Sequence, residues 1–151
     1  MKQVLFLCSA NYYRSRFAEH VFNWLAPQRS LLWRADSRGL DVDRWGVLGP
    51  ISSHTEQALK EREISINGNH RQPEQLTLDD LTKSDLVVAV KESEHRAMMA
   101  ELFPEWEDTV EYWHVHDLTH AIRLSKLELG LGFRPGLVSV VLDNKFVEKV
   151  R

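Results

Sequence analysis

Cysteine is what this chain most nearly lacks: there is one, Cys8, in 151 residues. No internal disulfide can form, so the fold must rest on its core, and a reducing, cytoplasmic compartment is expected. Charge of one sign is also missing, with 19 basic against 22 acidic residues and a formal charge of -3. That balance gives no general attraction to nucleic acid or an acidic membrane, so any anion site must be local. No apolar run approaches the ~20 residues that span a bilayer, and Val4 to Cys8 is too short for a signal-peptide core. There is no internal repeat, no low-complexity segment and no linker-like stretch. Residues 1–151 therefore read as one domain, long enough to bury roughly two-thirds of the surface its unfolded form exposes.

What is present alternates between two periods. Val4 to Leu7 is an apolar run that reads as a buried strand, and Ser15 to Ala26 carries Phe17, Val21 and Leu25 at helical spacing, with Pro27 at its end. Leu31 to Ala35 reads as a second strand, with Asp36 to Gly39 turning the chain out of it. Leu40 to Pro50 reads as a surface loop carrying Trp45. Ser53-His54-Thr55-Glu56 and Thr77-Leu78-Asp79-Asp80 both have the capping-box pattern, so each predicts a helix start. Leu86 to Val90 is a continuous apolar, largely β-branched run. Ser93 is expected to cap a helix with Ala97, Met98 and Leu102 inward, stopped by Pro104. Val110 to Val115 reads as a fourth strand, which brings Asp117 to its C-terminal end. Ile122 to Leu131 and the stripe of Leu137, Val141, Leu142, Phe146, Val147 and Val150 predict two more helices. Strands alternating with helices predict an α/β fold, a four-stranded parallel sheet flanked by helices on both faces.

In such sheets the sites lie beyond the C-terminal strand ends. Cys8 sits at the first of these ends, and five residues separate it from Arg14. That spacing lets a loop curl so that thiolate and guanidinium meet the same anion. The amides of Ser9, Ala10, Asn11, Tyr12 and Tyr13, with the first amides of the helix, lack intrahelical partners and suit phosphate oxygens. Thiols at helix N-termini beside arginine ionise readily, and a guanidinium binds two phosphoryl oxygens at once.

The run Val4-Leu5-Phe6-Leu7-Cys8-Ser9-Ala10-Asn11-Tyr12-Tyr13-Arg14-Ser15 resembles the low-molecular-weight protein tyrosine phosphatase family. So do Asp36-Ser37, His70 followed by Gln75-Leu76, Ser84 to Val90, Leu102-Phe103-Pro104 and Val115-His116-Asp117. The resemblance implies a four-stranded parallel sheet and metal-independent, cofactor-free hydrolysis of phosphomonoesters, typically phosphotyrosine on proteins. Inorganic phosphate is the product. It implies that Cys8 attacks phosphorus to give a phosphocysteine, that Arg14 stabilises the transition state, and that Asp117 protonates the leaving oxygen and then activates water. Ser15 would donate to the Cys8 sulfur, Asn11 would hold a left-handed loop geometry, and Ser37 and His70 would support Asn11.

Several residues depart from the family pattern. Tyr13 stands where a second cysteine is common, Arg16 replaces a proline, and Leu118 replaces the proline after the acid. The aromatic pair that follows is absent, the chain reading Leu118-Thr119-His120. Tyr12, Trp45 and Leu118 are then the expected substrate rim. Arsenate reductases use the same fold but need further cysteines, which this chain lacks. The altered rim keeps a second reading open, a catalytically weak phosphate-binding or interaction module. Taken singly, Cys8 also fits an inert core thiol and Asp117 a helix cap. His114, His116, Asp117 and His120 have metal-ligand chemistry but no standard ligand spacing, and solvated histidines at the site mouth are the expectation. His20 and His95 read as polar helix positions.

Overall fold

A computed structural model describes residues 1–46, 49–66 and 70–115. The expected helices 122–131 and 137–150, with His116, Asp117, Leu118 and His120, lie outside the described residues. In chain order the elements are β1 (Lys2–Cys8), α1 (Arg14–Gln28), β2 (Trp33–Gly39), α2 (Ser53–Glu61), α3 (Leu78–Lys83), β3 (Leu86–Ala89), α4 (Glu92–Leu102) and β4 (Glu111–Tyr112). The strands form one parallel sheet in the order β2-β1-β3-β4, the predicted four-stranded α/β architecture.

β1 is a central strand, and Val4 to Leu7 are wholly inaccessible to solvent. Its side chains alternate between two cores. Val4, Phe6 and Cys8 face α1 and α2, packing with Phe17, Val21, Phe22, Leu25 and Leu59. Leu5 and Leu7 face α3 and α4, packing with Leu81, Met99, Val87 and Ala89. The period of two in β1 meets helical stripes on both sides, and this explains an apolar run without polar alternation. The edge strand β2 is tied to α1 by the Asn23 side chain, which donates to the Ala35 carbonyl at 3.0 Å and accepts from the Ala35 amide at 2.8 Å.

Three local expectations are corrected. β2 does not end at Ala35: it pairs with β1 out to Gly39 opposite Cys8, so Asp36 and Ser37 are strand residues. Their polar side chains find partners at the sheet's C-terminal edge, which removes the need for a turn. The cap of α2 is Ser52, whose hydroxyl accepts from the His54 amide, one residue before the expected box. In α4 the N-cap is Lys91, and the buried side chains are His95 and Met99 rather than Ala97 and Leu102. The Thr77–Asp80 capping box of α3 is present as read.

The order β2-β1-β3 means that the chain leaves β1 to one side and returns to the other. The loops after β1 and β3 therefore open side by side, the switch point where open α/β sheets bind ligands. Gly39 fixes the floor of that crevice. A Cβ at this position would lie 2.9 Å from the Ser9 carbonyl oxygen and 3.1 Å from the Ala10 carbonyl carbon. Next to it, the Leu40 and Asp41 amides donate to the Cys8 and Ser9 carbonyls at 2.9 and 3.0 Å. Gly39→Ala is expected to push the loop backbone, costing roughly 1–3 kcal/mol of stability by overpacking. Urea unfolding measures that cost, and weaker inhibition by inorganic phosphate should accompany it.

Candidate active site

The segment from Cys8 to Arg14 links the end of β1 to the first residue of α1. Cys8 is buried, and its Sγ lies 2.9 Å from Ser15 Oγ. The direction of that bond follows from the next partner. Asn11 Oδ1 accepts from Arg71 Nη1 at 2.9 Å and from the Glu74 amide at 3.0 Å, so the Asn11 amide nitrogen must face the other way. There it donates to Ser15 Oγ and to Ser37 Oγ, each at 2.9 Å. Ser15 accepts from Asn11 and can pass its own proton toward the Cys8 sulfur. Asn11 itself has φ 51, the expected left-handed geometry, which asparagine adopts at low cost.

Behind Asn11 stands a buried polar network. Ser37 Oγ donates to Glu19 Oε2 at 2.6 Å, and Arg71 Nη2 donates to the Ser37 carbonyl at 2.8 Å and to Ser37 Oγ at 3.0 Å. The same Nη2 lies 3.4 Å from Glu19 and 3.3 Å from Asp36. Arg16 is completely buried, donates to the Pro50 and Arg71 carbonyls, and has Nε 3.5 Å from Glu19 Oε2. Burial raises the pKa of Glu19 despite the Ser37 hydrogen bond and the two arginines.

Arg71, rather than His70, supports Asn11. His70 is exposed, with Nδ1 3.6 Å from Glu56 Oε1. The physical reason is reach: a guanidinium has five donors in a fixed fork, and here it joins Asn11, Ser37, Asp36 and Glu19, more partners than one imidazole could hold.

The other wall of the loop is α4. Arg14 Nη1 and Nη2 donate to Glu94 Oε2 and Oε1 at 3.1 and 2.8 Å, and Ser9 Oγ donates to Glu94 Oε1 at 2.6 Å. The Lys91 amide donates to His95 Nδ1 at 3.1 Å, which puts the ring proton on Nε2, 3.5 Å from Glu94 Oε1 and 3.3 Å from Ser9 Oγ. Burial lowers the His95 pKa. His95, then Arg14 and Ser9, hold the Glu94 carboxyl far below the usual carboxylate range.

The loop's outer face is aromatic. The Tyr12 and Tyr13 rings meet edge to face at 6.0 Å, and Tyr13 stacks on His54 of α2 at 5.8 Å and 16°. The Ser52 amide donates to the Tyr12 carbonyl at 3.0 Å, fixing α2 against the loop. Ala10 is half-buried between these walls. Trp45 ends a short 3-10 turn, Asp43–Trp45, and its side chain lies outside what is described.

The structure thus brings together Cys8, Ser9, Asn11, Arg14, Ser15 and Ser37 and leaves His70 aside. Glu19, Arg71, Glu94 and His95 were not foreseen. Ser15 and Glu19 are four residues apart, one face of a helix, and Glu94 lies in the first turn after the strand next to β1. Those two spacings are the signals that could have found the carboxylates.

A thiol and a guanidinium at the two ends of a strand-to-helix loop, in a parallel sheet of order 2-1-3-4, define the class of cysteine-based anion cradles. A family model described as low molecular weight phosphotyrosine protein phosphatase matches residues 3–125, and the chain belongs to that family. The low molecular weight protein-tyrosine-phosphatase YfkJ of Bacillus subtilis is 31% identical over 91 residues, 60% of this chain and 56% of that protein. The crystal structure of a low molecular weight protein tyrosine phosphatase from T. tengcongensis is 26% identical with a TM-score of 0.69, covering 99% of both chains. A solution structure of a family member from Bacillus subtilis superposes with a TM-score of 0.75 at 23% identity, again over 99% of both.

Two predictions come from the buried network. Arg71→Gln leaves Glu19 with less compensation and Asn11 Oδ1 with one of its two donors, so stability should fall by roughly 3 kcal/mol in urea unfolding, with a loss of turnover. The second concerns acid. His20 is buried beside Arg16 and Arg71, and burial first, then those charges, lower its pKa to about 4. The unfolded chain therefore binds a proton that the folded one refuses between about pH 6.5 and 4. Its contribution to stability is complete above about pH 6.5 and lost as pH falls toward 4, roughly 3 kcal/mol in all. His20→Gln should flatten the unfolding free energy across that window, read as the difference between the two pH curves.

Proposed function

We propose that this protein is a metal-independent phosphomonoesterase, a protein tyrosine phosphatase by family, acting through a covalent intermediate on Cys8. The observation that carries this reading is the placement of Cys8 Sγ 2.9 Å from Ser15 Oγ, with Arg14 closing the same loop. A hydroxyl that already accepts from Asn11 is positioned to stabilise the thiolate and to ease its departure later.

In the first step the Cys8 thiolate attacks phosphorus, the ester P–O bond breaks, and the departing oxygen takes a proton from Asp117. In the second, Asp117 as carboxylate takes a proton from water, the water oxygen bonds to phosphorus, and the S–P bond breaks to return Cys8 and inorganic phosphate. Arg14 and the loop amides from Ser9 to Tyr13 bind the equatorial oxygens, whose charge is best neutralised in the transition state. The role of Asp117 comes from the family pattern and from its place after β4. Phosphotyrosine on a protein fits the aromatic face of Tyr12 and Tyr13, and a small aryl phosphoester fits it too. The lone thiol suits a reducing, cytoplasmic setting, and among the described residues no helix is long and apolar enough to cross a membrane.

Hydrolysis of para-nitrophenyl phosphate in the presence of EDTA tests the reading. Cys8→Ser should remove activity, and Asp117→Asn should lose on the order of 100- to 10,000-fold with phosphoesters of poor leaving groups. A wild type no faster than Cys8→Ser would leave the phosphate-binding module as the correct description. Activity abolished by EDTA would point instead to a metal held by the histidines around Asp117.

A further inference from the structure

We infer that Glu94 is a positioning residue for the reaction, the group that fixes the plane of the Arg14 guanidinium and ties both ends of the loop to α4. The inference rests on the phosphatase reading above. Arg14 and Ser9 are the last and first residues after Cys8 in the loop, and one carboxylate receives both. Arg14 contributes two hydrogen bonds, at 3.1 and 2.8 Å, and Ser9 one at 2.6 Å, while His95 Nε2 lies 3.5 Å from the oxygen that Ser9 reaches. His95 is in turn fixed by the Lys91 amide and is fully buried.

A solvated ion pair would be worth little. This pair is different because the Arg14 side chain is 8% exposed and the contact is two-toothed, which sets an orientation and not only a distance. A guanidinium is planar. With Nη1 and Nη2 both against Glu94, the carboxylate defines the plane in which the guanidinium would meet an anion in the loop. An arginine so held reaches the equatorial oxygens without reorganising at the moment of reaction. The neighbouring negative charge does not help a ground-state phosphate bind, so its benefit must appear in the transition state.

Loss of the Glu94 charge should therefore affect the transition state and the ground state unequally. Glu94→Gln should keep its melting temperature within a few degrees while kcat for para-nitrophenyl phosphate falls roughly 10- to 100-fold. Inhibition by orthovanadate, which takes up the five-coordinate geometry of the transition state, should weaken by a similar factor. Inhibition by inorganic phosphate should move less than about threefold. In an Arg14→Lys background, where there is no plane to orient, the same Glu94→Gln change should alter kcat by less than about threefold. Ser9→Ala, which removes one donor holding Glu94, should show the same split on a smaller scale and serves if Glu94→Gln does not fold. Equal losses in both backgrounds, or parallel losses of orthovanadate and phosphate affinity, would overturn the inference. A wild type without turnover would defeat the phosphatase reading, and the orthovanadate-to-phosphate affinity ratio, measured by calorimetry, would then decide on Glu94 alone.

Discussion

The Asn11 side chain is the constraint on which the rest of the site depends. Its backbone is held in the left-handed region and its amide makes four hydrogen bonds, two given and two received. A curled loop of this kind would otherwise have many conformations, and ordering each residue costs about 1–2 kcal/mol. Because both ends of the amide are committed, part of that ordering is met by the protein's own hydrogen bonds. The amide orientation then propagates: Ser15 is left with its proton for sulfur, and Ser37 with its proton for Glu19.

Two carboxylates hold two sides of this loop in opposite electrostatic regimes. Glu19 lies behind Asn11 among Arg16, Arg71 and Ser37, nearly inaccessible, and burial dominates its titration. Glu94 lies on the α4 side, partly exposed, and its donors dominate. The first is a structural charge whose partners cannot be removed one at a time without leaving an uncompensated ion in a dry place. The second is accessible enough to be altered without collapse of the core. Arg16 belongs with the first. Arg16 is buried in the first turn of α1 and reaches the Pro50 and Arg71 carbonyls, stitching the segments before α2 and before α3 to α1.

The sheet was legible because β1 and β3 are short, uninterrupted apolar runs, the pattern of strands covered on both faces. Cys8, Asn11, Arg14 and Ser15 were legible because the loop is local and its chemistry is carried by residue types at fixed spacing. The support shell was not. Arg71 reaches Asn11 across 60 residues of sequence, and no local period marks which of the neighbours His70 and Arg71 will face inward. His95 and His20 resemble surface positions by residue type, and only the tertiary packing of α4 and α1 buries them. β2 ran four residues past its apolar stretch because Asp36 and Ser37 find partners in the network, a tertiary reward invisible to propensity.

Glu94 also narrows where the reaction's proton can come from. It is the carboxyl bound to Arg14, yet its donors hold it ionised far below neutral pH, so it has no proton to give to a departing oxygen. Glu19 has a raised pKa but is sealed behind Asn11, away from solvent. Glu92 faces outward toward Arg96 at 3.5 Å. On the phosphatase reading proposed above, none of these three carboxyls suits the acid's role, which is then left to a group from another strand end. The chain after β4, where Asp117 follows Tyr112 by five residues, is the segment whose sequence carries such a group.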